Sequence, residues 1–258
     1  MPLARRLLFR SSMWEVARPR TPLTEGHFMV RLSDPATPFT QESAADWLLC
    51  YSAARAALND VLHSTLCSVM FPFRWHPLGS AIGEPAAESS TPGFHLFARW
   101  PGETTTPGGQ LALPAHRRRA AGPFDDLDAE LRLALREAAA SHRASGPLAS
   151  GPLASGGDSR RSVRWVPGHG TAPGHHVLVP EPGSGAISGL PPSSLLSLAA
   201  ALEALPTSGG VTGFSCVMAD PAHSGGRLEL HALGRSAGEE RNPWESLKNL
   251  PQISLALL

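Results

Sequence analysis

No two cysteines in this 258-residue sequence lie close together: Cys50, Cys67 and Cys216 are scattered, with no CxxC motif and no even set. That argues against a disulfide framework and against a cysteine-based structural zinc site, whose ligands come in close pairs. It fits a reducing compartment, and the expected location is cytoplasmic. An excess of positive charge is missing too. The 22 basic residues are balanced by 22 acidic ones, whereas nucleic-acid binders carry a basic surplus because counterion release from phosphates supplies most of their affinity. The arginines at 117–119, 160 and 161 have no interleaved aromatics and read as solvated loop residues. No apolar run approaches the roughly 20 residues that span a bilayer. Neither nucleic acid nor membrane is therefore an expected partner. There is no P-loop, no GxGxxG fingerprint and no Gly-x-Ser-x-Gly elbow. His169, His175 and His176 lie close in sequence, but with no evident acid or cysteine partner, so no metal and no cofactor is expected.

What is present is enough apolar residue for a core, 42% of the chain, and 25 glycines with 25 prolines. That combination points to a loop-rich fold. Arg5, Arg6 and Arg10, without nearby acids, read as a short basic strand or as sequence before the true start, in preference to a targeting segment.

Strands are expected at residues 13–18, 26–32, 67–75 and 94–100, where apolar residues lie between Pro- and Gly-bearing turns. Thr40 is an N-cap residue type, and Ala44, Trp47, Leu48, Tyr51, Ala54, Leu58, Val61 and Leu62 then recur at helical spacing. A second helix is expected at 124–142. Asp125, Asp126 and Asp128 fall in its first turn, where negative charge suits the helix dipole, which explains them without a divalent ion. Ala-Ser-Gly-Pro-Leu at 144–148 and again at 149–153 marks a flexible linker. Beyond it come strands at 162–166, 174–180, 213–218 and 227–233, with a helix capped by Ser193 or Ser194 and running to 205. The tail from 238 is expected to pack onto the core.

The order of elements is the same before and after the linker. Leu23 to Val30 and Thr171 to Leu178 both run from a turn into Gly-His and an apolar strand. Each half then gives a loop, one amphipathic helix, an apolar strand, a Gly-rich loop and a final strand carrying one histidine, His95 or His231. The expected division is a first half at 1–122, a helix plus linker at 123–161, and a second half with its tail at 162–258.

This layout resembles the histidine-triad (HIT) superfamily. That family carries a proline turn, Gly-His and a strand, a helix, an apolar strand, a Gly/Ser loop and His-x-His-x-His-apolar-apolar-Pro-Arg. Gly174 to Pro180 matches the first element. Arg227 to Arg235 keeps the spacing of the last one, with His231 as third histidine and Arg235 as final arginine. A tandem pair is similar to the galactose-1-phosphate uridylyltransferase branch. The resemblance implies an α+β fold of two HIT-like halves, each an antiparallel sheet with a packed helix, arranged as a monomer with a pseudo-twofold or as a homodimer.

It also implies a chemistry, in which the middle histidine attacks a nucleotide α-phosphate and neighbouring groups bind phosphate oxygens. The triad is broken here. The first half reads Gly93, His95, Phe97 and the second Arg227, Glu229, His231. With His95 set on the middle position, the expectation is His95 as nucleophile. Phosphate contacts would come from Ser89, Ser90, Thr91 and Arg99 in the first half, and from Arg227, His231 and Arg235 in the second. His223-Ser224 is a weaker ligand candidate, and His27 and His175 are expected in structural roles. The implied function is a nucleotide-binding protein, a nucleotidyl transferase or hydrolase acting on nucleoside phosphates or nucleotide sugars. The alternative is a catalytically inactive HIT-like binding or scaffold protein.

Overall fold

The structure, a computed structural model, describes residues 6–75, 83–88, 93–144, 163–166, 174–180, 185–207, 210–220, 226–236 and 250–257. It is α+β, with one antiparallel sheet. The strands are β1 (Leu7–Arg10), β2 (Trp14–Ala17), β3 (His27–Leu32), β4 (Leu66–Phe73), β5 (Gly93–Arg99), β6 (Val163–Val166), β7 (His175–Pro180), β8 (Gly213–Ala219) and β9 (Leu230–Arg235). They lie in the order β1-β2-β3-β5-β4-β8-β9-β7-β6.

The long helix α1 (Gln41–Leu62) starts where Thr40 caps it. Thr40 Oγ1 accepts from Ser43 N–H while Ser43 Oγ accepts from Thr40 N–H, a reciprocal capping box. The helix stops at His63, whose φ of 55° is left-handed. Its stripe of Ala44, Trp47, Leu48, Tyr51, Ala54 and Leu58 is buried against the sheet. Helix α2 (Pro107–Leu111) lies where only a turn was expected. Thr106 caps it through Gly109 N–H, and five residues are too few to show a helical period. Helix α3 (Asp125–Ala144) packs on α1 with Leu131, Leu135 and Ala139 buried. Helix α4 (Pro192–Glu203) begins after Pro191 with no side-chain cap, so neither Ser193 nor Ser194 serves as one. The tail forms α5 (Pro251–Leu257) and docks on β4, β5 and β8.

Successive strand residues point to opposite faces, and the two faces of this sheet carry separate apolar clusters. Val30, Cys67, Val69, Leu96, Cys216 and Ala232 face α1 and α4 in the main core. Met70, Phe97, Val217, Ala219 and Leu233 face the other way, where Leu23, Leu111 and α5 cover them.

The two central strands pair symmetrically. Ser68↔Ala219 is mirrored by Pro72↔Ser215, Val69↔Met218 by Phe71↔Cys216, and Met70↔Val217 is its own mirror. Outward from that axis the pairings correspond again. His27↔Phe97 and Met29↔His95 join β3 to β5, as His175↔Leu233 and Val177↔His231 join β7 to β9.

The linker repeat and most of the stretch after it lie outside the described residues. Among the described residues, no helix is long and apolar enough to cross a membrane.

Candidate functional site

The register determines which residues correspond. Because His95 sits opposite Met29 and Met70, and His231 opposite Val177 and Val217, the two histidines occupy equivalent positions. The expected correspondence of His95 with Glu229 is off by two residues. With the register corrected, Gly93 and Glu229 correspond, as do Phe97 and Leu233, and Arg99 and Arg235. Both strands then read His-x-x-x-Arg, the spacing between third histidine and final arginine in the family pattern. That equal spacing was visible in the sequence and is the signal that would have given the alignment.

Each Gly-His element places its histidine beside this strand. Gly26 is required by crowding: a Cβ there would lie 2.9 Å from the Trp100 ring and 3.0 Å from Ala98. Gly174 is required by its φ of +75°, which side-chain-bearing residues rarely adopt. The result is two matched imidazole pairs on the face opposite α1. His27 Nε2 lies 3.0 Å from His95 Nδ1, and His175 Nε2 lies 3.1 Å from His231 Nδ1. All four histidines are buried.

The hydrogen bonds fix the protons. Leu23 N–H can only donate, and it donates to His27 Nδ1 at 3.1 Å. His27 therefore carries its proton on Nε2 and donates to His95 Nδ1, so neutral His95 carries its own proton on Nε2. Burial keeps these rings neutral. It lowers His95 to about 4, and it lowers His27 well below the ordinary value, with His95 and Arg18 adding to the effect. Burial, with His231 and His176, likewise lowers His175 to about 4. In the second half the Glu229 carboxylate, which can only accept, stands 3.5 Å from His231 Nε2.

A nucleophilic imidazole needs an in-plane lone pair free to reach phosphorus. In His95 one nitrogen accepts from His27 and the other holds a proton. The arrangement orders the sheet face, and it does not present a free nitrogen.

Among the described residues, His231, Arg99 and Arg235 do not converge on His95. His95 and His231 lie in one row across the sheet with β4 and β8 between them, about 14 Å apart at the usual strand spacing. Arg99 and Arg235 lie at opposite ends of the sheet. Arg99 pairs with Leu66 at the start of β4, and Arg235 pairs with Gly213 at the start of β8. Arg99 is ion-paired with Glu103. Arg235 is buried with its guanidinium 4.1 Å above the Trp75 ring. Arg227 is partly exposed ahead of β9. Ser89, Ser90, Thr91, His169, His223 and Ser224 lie outside the described residues. Asp128 of the helix-start acids is buried and bonds Arg18 Nε at 2.7 Å. Among the described residues, no group of three metal-ligating side chains stands together.

No family model matches the sequence, and no curated protein matches it. Its structural neighbours include a zinc-bound histidine triad family protein from Mycobacterium smegmatis, with TM-score 0.34 and 16% identity over 52% of this chain and 86% of that one. A GalT-like protein from Arabidopsis thaliana gives TM-score 0.47 and 10% identity over 92% of this chain and 81% of that one. A yeast Ap4A phosphorylase in complex with Ap4A gives 0.36 and 11% over 91% and 61%. All three scores are below 0.5, so function is inferred from the chain's own residues.

Proposed function

We propose that this chain consists of two divergent HIT-like halves, residues 1–122 and 162–258, joined by the helix and linker at 123–161. In this reading it is a non-catalytic binding or scaffold module whose ligand class is a nucleotide or nucleotide sugar. The observation that carries the loss of catalysis is the proton relay from Leu23 N–H through His27 to His95, which leaves His95 no free lone pair. The corrected register supports it, because the family's middle position falls on Gly93 and Glu229. Glycine has no nucleophile, and the Glu229 carboxylate repels phosphate. The symmetric pairing about Met70 and Val217 supports the two-half architecture.

One observation favours the alternative, an enzyme acting through His95: a neutral imidazole oriented by a second group is how activated nucleophiles are commonly built. Incubation with dinucleoside polyphosphates or a nucleotide sugar separates the two. The expected result is no turnover above buffer in either the native chain or His95→Ala, together with a nucleotide-dependent rise in melting temperature. Turnover that disappears in His95→Ala overturns the non-catalytic reading.

A further inference from the structure

The histidine-bearing face of the sheet is covered at its centre by the chain's own last helix. Ile253, Ala256 and Leu257 are buried in the second apolar cluster, against Met70, Phe97, Val217, Ala219 and Leu233. The helix touches β4, β5 and β8, so it straddles the axis through Met70 and Val217. One continuous row of that face runs Met29, His95, Met70, Val217, His231, Val177, with both buried histidines flanking the covered centre.

The fit between helix and face is incomplete in a specific way. Ser68 and Ser215 occupy corresponding positions in β4 and β8, and they share the face of Met70 and Val217. Their exposures are 0% and 4%, and among the described residues neither Oγ has a hydrogen-bond partner. Ser68 lies in register between Phe97 and Ala219, both members of the cluster that α5 completes. Ile253, Ala256 and Leu257 therefore close a cluster bordered by hydroxyls, and a buried polar group without a partner weakens the contact that buries it. The helix itself is seven residues long. A helix that short has no stability of its own in water, so its order depends on docking.

We propose that α5 is a displaceable internal ligand. In this arrangement the histidine-bearing face is a docking site for an apolar helix, resident residues 250–257 hold it closed, and their release exposes it. That the released face then receives a nucleotide rests on the function proposed above. The docking itself does not.

Hydrogen exchange on the native full-length chain tests the docking first. The amides of 254–257, which are hydrogen-bonded within the helix, are expected to exchange at least tenfold faster than those of β4 and β8, by local opening. Equal rates would make α5 an integral part of the core and overturn the proposal. The full-length double variant Ile253→Asp, Leu257→Asp then holds the face open. A synthetic peptide of residues 248–258 is expected to bind this variant saturably and to restore protection in β4 and β8, while the native chain binds it at least tenfold more weakly. No saturable peptide binding by a variant with native circular dichroism overturns the docking. ADP provides the separate arm. Tenfold tighter ADP binding by the variant supports gating of a nucleotide face. Peptide binding with no ADP binding by either chain keeps the docking and rejects the nucleotide reading.

Discussion

Acidification from pH 7.5 to pH 5 should destabilise this protein by about 4 kcal/mol through two histidines alone. His95 and His175 are buried beside other imidazoles, and both are lowered from 6.5 to about 4. The unfolded chain takes up a proton on each ring as the pH passes below 6.5, and the folded chain refuses it until about 4. Stability is thus fully present above 6.5, declines between 6.5 and 4, and levels off below that. Each ring loses about 2 kcal/mol by pH 5, from the ratio of the two titration curves at about 1.4 kcal/mol per pH unit of separation. His27, lowered in the same direction, adds to the loss. Urea denaturation followed by circular dichroism at pH 7.5, 6.5, 5.5 and 5.0 measures it. The control is His95→Gln, whose side-chain oxygen can still accept from His27 Nε2. In this variant the pH dependence should shrink by about 2 kcal/mol while stability at pH 7.5 changes little. An unfolding free energy constant to within 1 kcal/mol across that range would refute the picture of buried neutral imidazole pairs.

Further outcomes follow from other buried polar groups. Asp220 accepts from Tyr51 Oη at 2.9 Å, Arg55 Nε at 2.5 Å and Ile187 N–H at 2.8 Å, tying the end of β8 to α1. Asp220→Ala should cost about 3 kcal/mol or more in urea denaturation, because it strands a buried hydroxyl and a backbone N–H. Asp128→Asn breaks the buried pair with Arg18, which also stacks on Phe28 and Phe124. About 3–5 kcal/mol is expected, and a loss under 1 kcal/mol would show that solvent reaches Arg18. Thr40→Ala removes the α1 cap and should lower stability by about 1 kcal/mol.

The sequence announced some of these features and concealed others for physical reasons. Helix α1 was legible because a cap residue precedes a stripe at a 3.6-residue period over 22 residues. The strands were legible because proline and glycine bracket the apolar runs. The partnership of His27 with His95 was not. Alternation along a strand says which residues share a face but not which residue of another strand lies opposite, and a shift in pairing re-sorts every neighbour. The equivalence of His95 with His231, and not with Glu229, is a relation of that kind. The tautomer of His95 was further out of reach, since it depends on a backbone N–H at Leu23. Helix α2 was hidden by its length, and the start of α4 by serines that could have capped it. The docking of α5 was hidden because the face it covers is assembled from strands far apart in the sequence.

The seam between β4 and β8 has the form of a twofold contact, with the same positions meeting across Met70 and Val217. In an assembly of two identical chains, any substitution near such an axis is imposed twice, and both copies must tolerate it. Here the two sides are encoded separately within one chain. A carboxylate can stand at 229 while glycine stands at 93, and an arginine can stack on Trp75 on one side while its counterpart pairs with Glu103 on the other. One gene thus has the geometry of a pair without the obligation of sameness, and each side can be altered without answering for the other.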